Sequence, residues 1–224
     1  GPDRSLVFVG NSVLPLRGDP EDHRALGTAL GGMGLGPMSV HGRREQVAAQ
    51  WEALRERWGE AREFRSDQHL MVLREPVDPA LVADGVRLAR IEEFEPVLEA
   101  AAAMYREELR ADPFAVGAGI PFRRRVARSL ARGRTWVRTD RGAVIFKADV
   151  AAVSPRVAQL QGVWVHPDRR GAGLGSGGTA AVSAALRARG LTTSLVVNGS
   201  NVAARAAYRS IGMVDAVDYA TVLL

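Results

Sequence analysis

The chain has 224 residues, 46% hydrophobic and 25% charged, the make-up of a globular protein of one or two domains. It has no cysteine, which excludes disulfides, thiolate metal sites and cysteine nucleophiles, and no apolar run approaches the ~18 residues of a membrane-spanning helix. The formal net charge of +5 rests on arginine, Lys147 being the only lysine, a bias that reads as the composition of a high-GC bacterial genome.

The first 75 residues read as a small α/β unit. LVFVG (6–10) is an apolar strand, and NSVLPLRGDP (11–20) reads as the connection after it. Asp22 is the expected cap of a helix carrying Leu26, Leu30 and Met33 at helical spacing, with Gly34 and Gly36 ending it. MSVHG (38–42) is a second strand. REQVAAQWEALRERW (44–58) is a helix with Val47, Trp51, Leu54 and Trp58 on one face, and HLMVL (69–73) is a third strand. The proline- and acid-rich REPVDPALVADG (74–85) marks a linker. The expected domains are therefore 1–76 and 86–224, joined by 77–85.

VRLARI (86–91) opens the second domain as a strand. A long helix follows over about 92–110, with Pro96 in its first turn and Asp112-Pro113 as its stop. PFRRRVARSLAR (121–132) is a second helix, ended by Gly133. TWVRTD (135–140) and AVIFKADV (143–150) form a hairpin about Arg141-Gly142, and RVAQLQGVWV (156–165) is the next strand. A glycine-dense turn leads into a helix whose Leu174, Val182 and Leu186 recur at multiples of four, beside Ala181 and Ala185. LTTSLVVNG (191–199), a helix from Asn201 to Gly212, and VDYATVLL (217–224) complete an α/β chain with a mixed sheet.

The chemistry centres on VWVHPDRRGAGLGSGG (163–178), which runs strand, glycine turn, helix N-terminus. The first N–H groups of a helix lack intrahelical partners, and the dipole is positive at that end. Glycine lets a ligand approach the backbone, so a phosphate or pyrophosphate is the natural guest. A P-loop is excluded, because no lysine follows the glycines. The G-x-G-x-x-G of a dinucleotide site is present as Gly173, Gly175 and Gly178. HPDRRGA, however, separates it from the strand, and no acid stands about 20 residues on.

The stretch resembles the GNAT superfamily of acyl-CoA-dependent N-acetyltransferases. Arg170, Gly173 and Gly175 fill its [QR]-x-x-G-x-[GA] pattern after a V-x-V-x-P strand end at Val163, Val165 and Pro167. The element order from residue 86 onward, β-α-α-β-β-β-α-β-α-β, is that of the GNAT fold. The first 76 residues resemble the poorly characterised domain preceding the GNAT domain in some bacterial acetyltransferases. They read as a degenerate GNAT-like half without CoA affinity.

The resemblance implies acetyl-CoA as co-substrate and a primary amine as acceptor. Backbone groups of Gly171, Ala172, Gly173, Leu174, Gly175 and Ser176 would hold the pyrophosphate, with Arg170 beside them. Val163, Trp164 and Val165 would line the pantetheine arm, an N–H near Val163 polarising the thioester carbonyl. N-x-x-A-x-x-x-Y places Asn201, Ala204 and Tyr208 on one helix face, with Tyr208 as the acid for the leaving thiolate. A phenol has an ordinary pKa near 10 against 8.5 for a thiol, so it stays protonated at neutral pH. The strand before the turn offers only Gln159 and Gln161 where many GNAT enzymes carry a glutamate, leaving the base open among Glu107, Glu108, Asp149, His166 or none. Asp112 and the two glutamates are expected to attract a cationic amine.

Four scattered histidines, His23, His41, His69 and His166, give no metal-ligand pair, so no metal is expected. The chain does not open with a basic stretch before an apolar core, so the cytoplasm is the expected compartment. A monomer or homodimer is expected, with no membrane partner. Two other readings stand beside the enzyme. One is a non-catalytic acyl-CoA-binding sensor or scaffold. The other is a nucleic-acid binder, suggested by net charge and Arg123-Arg124-Arg125 but supported by no RNP, helix-turn-helix or zinc pattern.

Overall fold

The structure is a computed structural model that describes residues 5–34, 36, 39–115 and 117–224. Its elements are β1 (Leu6–Val9), β2 (Ser12–Arg17), α1 (Pro20–Gly31), β3 (Ser39–Arg43), α2 (Arg44–Trp58), β4 (Glu63–Leu73), β5 (Arg87–Leu88), α3 (Phe94–Leu109), α4 (Gly119–Ala131), β6 (Thr135–Asp140), β7 (Ala143–Val153), β8 (Val157–Val165), α5 (Leu174–Arg187), β9 (Thr192–Asn198), α6 (Val202–Ser210) and β10 (Val214–Leu223). Two compact units result. The first gathers Gly1–Met71, Val196–Val202 and Asp215–Leu224; the second gathers Val72–Leu195 and Ala203–Val214. Among the described residues no helix is long and apolar enough to cross a membrane.

In the first unit the strands lie in the order β1, β2, β3, β10, β4. The segment 11–20 is not a plain connection, because β2 pairs antiparallel with β1. Among the described residues its parallel ladder to β3 holds Ser12↔Ser39 and Val13↔Val40. Pro15, which has no N–H to give, follows the last pair. The cap of α1 is Asp19 rather than Asp22. Asp19 Oδ1 accepts from the Asp22 N–H at 2.9 Å, and Asp22 Oδ2 accepts from the Asp19 N–H at 3.3 Å, a capping box of two carboxylates. The helix ends at Gly31, leaving Met33 outside it and 64% exposed; Met38 of the expected second strand lies outside the described residues. The apolar stripe of α2 does face the core, with Val47, Trp51 and Leu54 buried beside Val13, Val40, Ala220 and Val222.

The last strand, expected to close the C-terminal domain, falls in the first unit. β10 pairs antiparallel with β3 from Arg43↔Tyr219 to Ser39↔Leu223, and its Ala220 and Val222 fill that unit's core. The compact units thus cut the chain differently from a boundary at 76–86.

In the second unit the order is β9, β8, β7, β6, β5, with β8 and β9 parallel and the other pairs antiparallel. Arg141 and Gly142 join β6 to β7 with φ of 49° and 84°, the two positive values of a type I′ hairpin turn. The strand expected at 86–91 shrinks to Arg87–Leu88, because Ile91–Glu93 coils into a 3₁₀ turn before α3. α3 ends at Leu109, three residues before Asp112, and its cap residue Arg110 is in a left-handed conformation. Val97, Leu98, Ala101, Phe122, Val126 and Leu130 of α3 and α4 pack with Val137 and Trp164 of the sheet. α5 is pressed onto β7: a Cβ on Gly178 would lie 2.5 Å from the Phe146 ring.

Candidate functional site

β8 parts from both neighbours as it approaches the glycine turn. Its ladder to β9 ends at Leu160↔Leu195, so among the described residues 161–165 have no pair on that side. On the other side Asp149 faces Gln161 and Lys147 faces Trp164, which sets Ala148 against both Gly162 and Val163. Gly162 has φ +58°, and a glycine in that region followed by a doubled residue is the G1 type of β-bulge. Val163 therefore stands in a bulge beside an opened ladder. Sequence reasoning passed over Gly162, although a lone glycine inside an apolar strand is the ordinary signal for a bulge.

Trp164, expected at the cofactor, is a core residue. It is 6% exposed among α3 and α4, and its Nε1–H donates to Glu107 Oε1 at 3.4 Å. Strand alternation turns Val165 the other way, and its Cγ2 lies 3.5 Å from where a Cβ of Gly175 would stand.

After β8, Pro167–Arg169 make one 3₁₀ turn in which the N–H groups of Arg169 and Arg170 donate to His166 and Pro167 carbonyls. The pattern then changes. From Gly171 through Ser176 no backbone N–H finds an acceptor among the described residues. Gly173, with φ +74°, is the cap residue of α5 and brings no side chain to satisfy that end. Ser176 Oγ donates to the Gly173 carbonyl at 2.9 Å instead of serving as an acceptor for the turn. Gly177 differs in function: a Cβ there would meet Ala83 Cβ at 2.9 Å. With Gly178 against Phe146, this makes the last glycines packing residues, which is why they spell a dinucleotide motif without forming one.

Beside the turn lies a cavity of about 480 Å³, lined by Arg138, Thr139, Asp140, Arg169, Gly173 and Leu174 among others. Arg169 is paired with Asp140. Arg138 has no carboxylate partner among the described residues. Arg170 does not reach over the turn. Its Nε–H donates to the Val165 carbonyl at 3.0 Å and its Nη2–H to Glu107 Oε2 at 2.7 Å, tying the turn to the end of β8 and to α3.

Tyr208 on α6 is 8% exposed. Burial first, and the charge of Glu108 second, push its phenol up to about 12. It is fully protonated at neutral pH. Ala204 is half-buried on the same helix of the second unit, while Asn201 belongs to the first unit, where its N–H donates to the Asn198 carbonyl at 3.0 Å. The candidate bases are largely engaged. Glu107 accepts from Trp164 and Arg170. Asp149 pairs with Lys147 and accepts from Thr135 Oγ1 at 2.7 Å. His166 Nδ1 accepts from the Asp168 N–H at 3.3 Å. Asp112 caps the turn at Phe114 and pairs with Arg106.

Comparison with known proteins bears on the fold. Residues 1–97 match the family model of a domain of unknown function, DUF4081, and residues 147–221 match that of FR47-like protein. An acetyltransferase of the GNAT family from Colwellia psychrerythraea is 14% identical, with 98% of this chain and 81% of that one covered and a TM-score of 0.60. A putative GNAT-family acetyltransferase from Novosphingobium aromaticivorans is 17% identical, with 99% and 91% covered and a TM-score of 0.58. A Drosophila protein is 18% identical, with 98% and 73% covered and a TM-score of 0.65. No curated protein matches. The shared fold runs over nearly the whole chain, so the N-terminal α/β region is included in the likeness. The chain thus shares its fold with GNAT-family structures, with a segment similar to FR47-like protein behind one similar to DUF4081.

Proposed function

We propose that the chain is an acetyl-CoA-dependent N-acetyltransferase acting on a primary amine. The observation that carries this reading is the run of unsatisfied N–H groups from Gly171 through Ser176, at the positive end of α5 and next to the bulged, half-released end of β8. A pyrophosphate fits that turn, because Gly175 has only Val165 nearby and leaves the backbone approachable. In the first unit the start of α1 is closed by the carboxylates of Asp19 and Asp22, which satisfy the helix end and repel a phosphate. CoA binding is therefore assigned to the second unit.

Bound at the turn, acetyl-CoA supplies an activated acetyl thioester. The chain contributes placement and hydrogen bonds. The Val163 amide, in the bulge at the end of β8, donates to the thioester carbonyl; one such donor is commonly worth about 2.7–4 kcal/mol in the transition state. Tyr208 donates its O–H to the departing sulfur. With its phenol pushed up to about 12, well above an ordinary thiol near 8.5, complete proton transfer to the sulfur is uphill. Tyr208 thus stabilises the thiolate as a hydrogen-bond donor, and the proton follows by equilibration. The neutral amine attacks the acetyl carbon directly: the C–N bond forms as the C–S bond breaks, and the proton lost by the amine passes through solvent to the CoA thiolate.

A thiol-release assay over a panel of primary amines tests the reading: turnover whose KM for acetyl-CoA rises at least tenfold in the Gly173→Ala variant supports it. Acetyl-CoA binding without turnover on any amine would favour the non-catalytic sensor. That second reading draws on one observation, the engagement of Glu107 by two donors beside a strand that offers only Gln159 and Gln161.

A further inference from the structure

The only lysine of the chain is spent inside it. Lys147 is 2% exposed at its side chain, and it pairs with Asp149, which is 16% exposed. Both leave β7 on the same face, one residue either side of Ala148, and Ala148 is the residue opposed by both Gly162 and Val163. The ion pair therefore brackets the bulge. Asp149 is also fixed from outside its strand: Oδ1 accepts from Thr135 Oγ1 of β6 at 2.7 Å and from Ser129 Oγ of α4 at 3.4 Å. Its Oδ2 lies 3.4 Å from where a Cβ of Gly162 would be, and Met104 of α3 closes the same spot at 3.2 Å.

A buried ion pair is a poor way to stabilise a fold, since two apolar side chains of similar volume commonly do as well. Its best-attested use is to fix register. Register is what is at stake here, because a one-residue slip of a strand turns every later group to the opposite face. We propose that the Lys147–Asp149 pair is the clamp that holds the Gly162–Val163 bulge and thereby aims the Val163 amide. In this role Lys147 and Asp149 are positioning residues, and the catalytic part of the claim rests on the acyl-CoA reading above.

The test uses the full chain and two readouts. In the ligand-free protein, amide resonances of Gly162 and Val163 are compared between wild type and the double variant Lys147→Met/Asp149→Asn. That variant keeps the packing volume and an acceptor for Thr135 and leaves no lone buried charge. The clamp predicts that these two amides move, and that Lys147→Arg, which keeps the pair, leaves them in place. With [1-¹³C]acetyl-CoA, the wild type should shift the bound carbonyl downfield. The double variant should bind as tightly and lose that shift. Unmoved amides in the double variant would overturn the clamp whatever the ligand does. Moved amides in a wild-type protein that binds no acetyl-CoA would keep the clamp as a structural device and remove its catalytic role. A downfield carbonyl shift retained in the double variant would overturn the link to Val163.

Discussion

Gly173→Ala separates what the fold needs from what the ligand needs. Gly173 has φ +74°, where an L-residue costs about 1–2 kcal/mol. The added methyl itself meets only Ser176 Oγ, at 4.0 Å. The fold therefore survives, and for a chain of this size each kcal/mol lowers the midpoint by about 2–4 °C, so a drop of roughly 2–8 °C is expected in thermal unfolding. The ligand fares worse. The strain is relieved by turning the start of α5, and that re-aims the N–H groups of Leu174, Gly175 and Ser176. Calorimetric titration should show CoA affinity falling at least tenfold, about 1.4 kcal/mol or more. Gly178→Ala is the control. It forces a methyl to within 2.5 Å of the Phe146 ring and should destabilise severely, although it does not belong to the ligand turn. A folded Gly173→Ala protein that binds CoA like wild type would refute the turn as the pyrophosphate site.

Tyr208→Phe should cut turnover at least tenfold while leaving CoA affinity largely intact; unchanged turnover would remove Tyr208 from the mechanism. Because its phenol titrates near 12, Tyr208 contributes no alkaline limb to the pH–rate profile below about pH 11, so a limb near pH 8–9 must belong to another group. Trp164→Ala should cost about 3–5 kcal/mol of stability, as for a core aromatic, and at low temperature still bind CoA; a loss of affinity without a loss of stability would return Trp164 to the cofactor site. Burial holds His23 below its ordinary 6.5 despite the nearby Asp22. The neutral form is thus favoured in the folded state. Its contribution to stability is present above pH 6.5 and lost as pH falls through the depressed folded value, so denaturant midpoints should drop from pH 7.5 to pH 5 less steeply in His23→Gln than in wild type.

Much of the second unit was legible in the sequence because its signals are local. The stripe of α5 and the type I′ turn at Arg141-Gly142 each reside in a few neighbouring residues, as does the glycine run before a helix. What escaped depends on partners far along the chain. β2 was hidden by Pro15, which breaks a strand pattern, yet Val13 beside it is fully buried against β3. Trp164 alternates with the valines that flank it, and only the packing of α3 and α4 shows which face is core. The placement of β10 against β3 joins residues about 180 positions apart, a pairing set by tertiary burial rather than by local pattern. Tyr208 was identifiable through the helix motif, but its burial came only with the fold.

The central claim is that the turn from Gly171 to Ser176 holds the pyrophosphate of acetyl-CoA. Calorimetric titration of the full chain with acetyl-CoA, followed by CoA, tests it most directly. The account predicts micromolar binding of both, abolished by bulky replacements at Gly173 or Gly175. Absence of binding by either would contradict it, and the glycine turn would then be a structural feature of the fold alone.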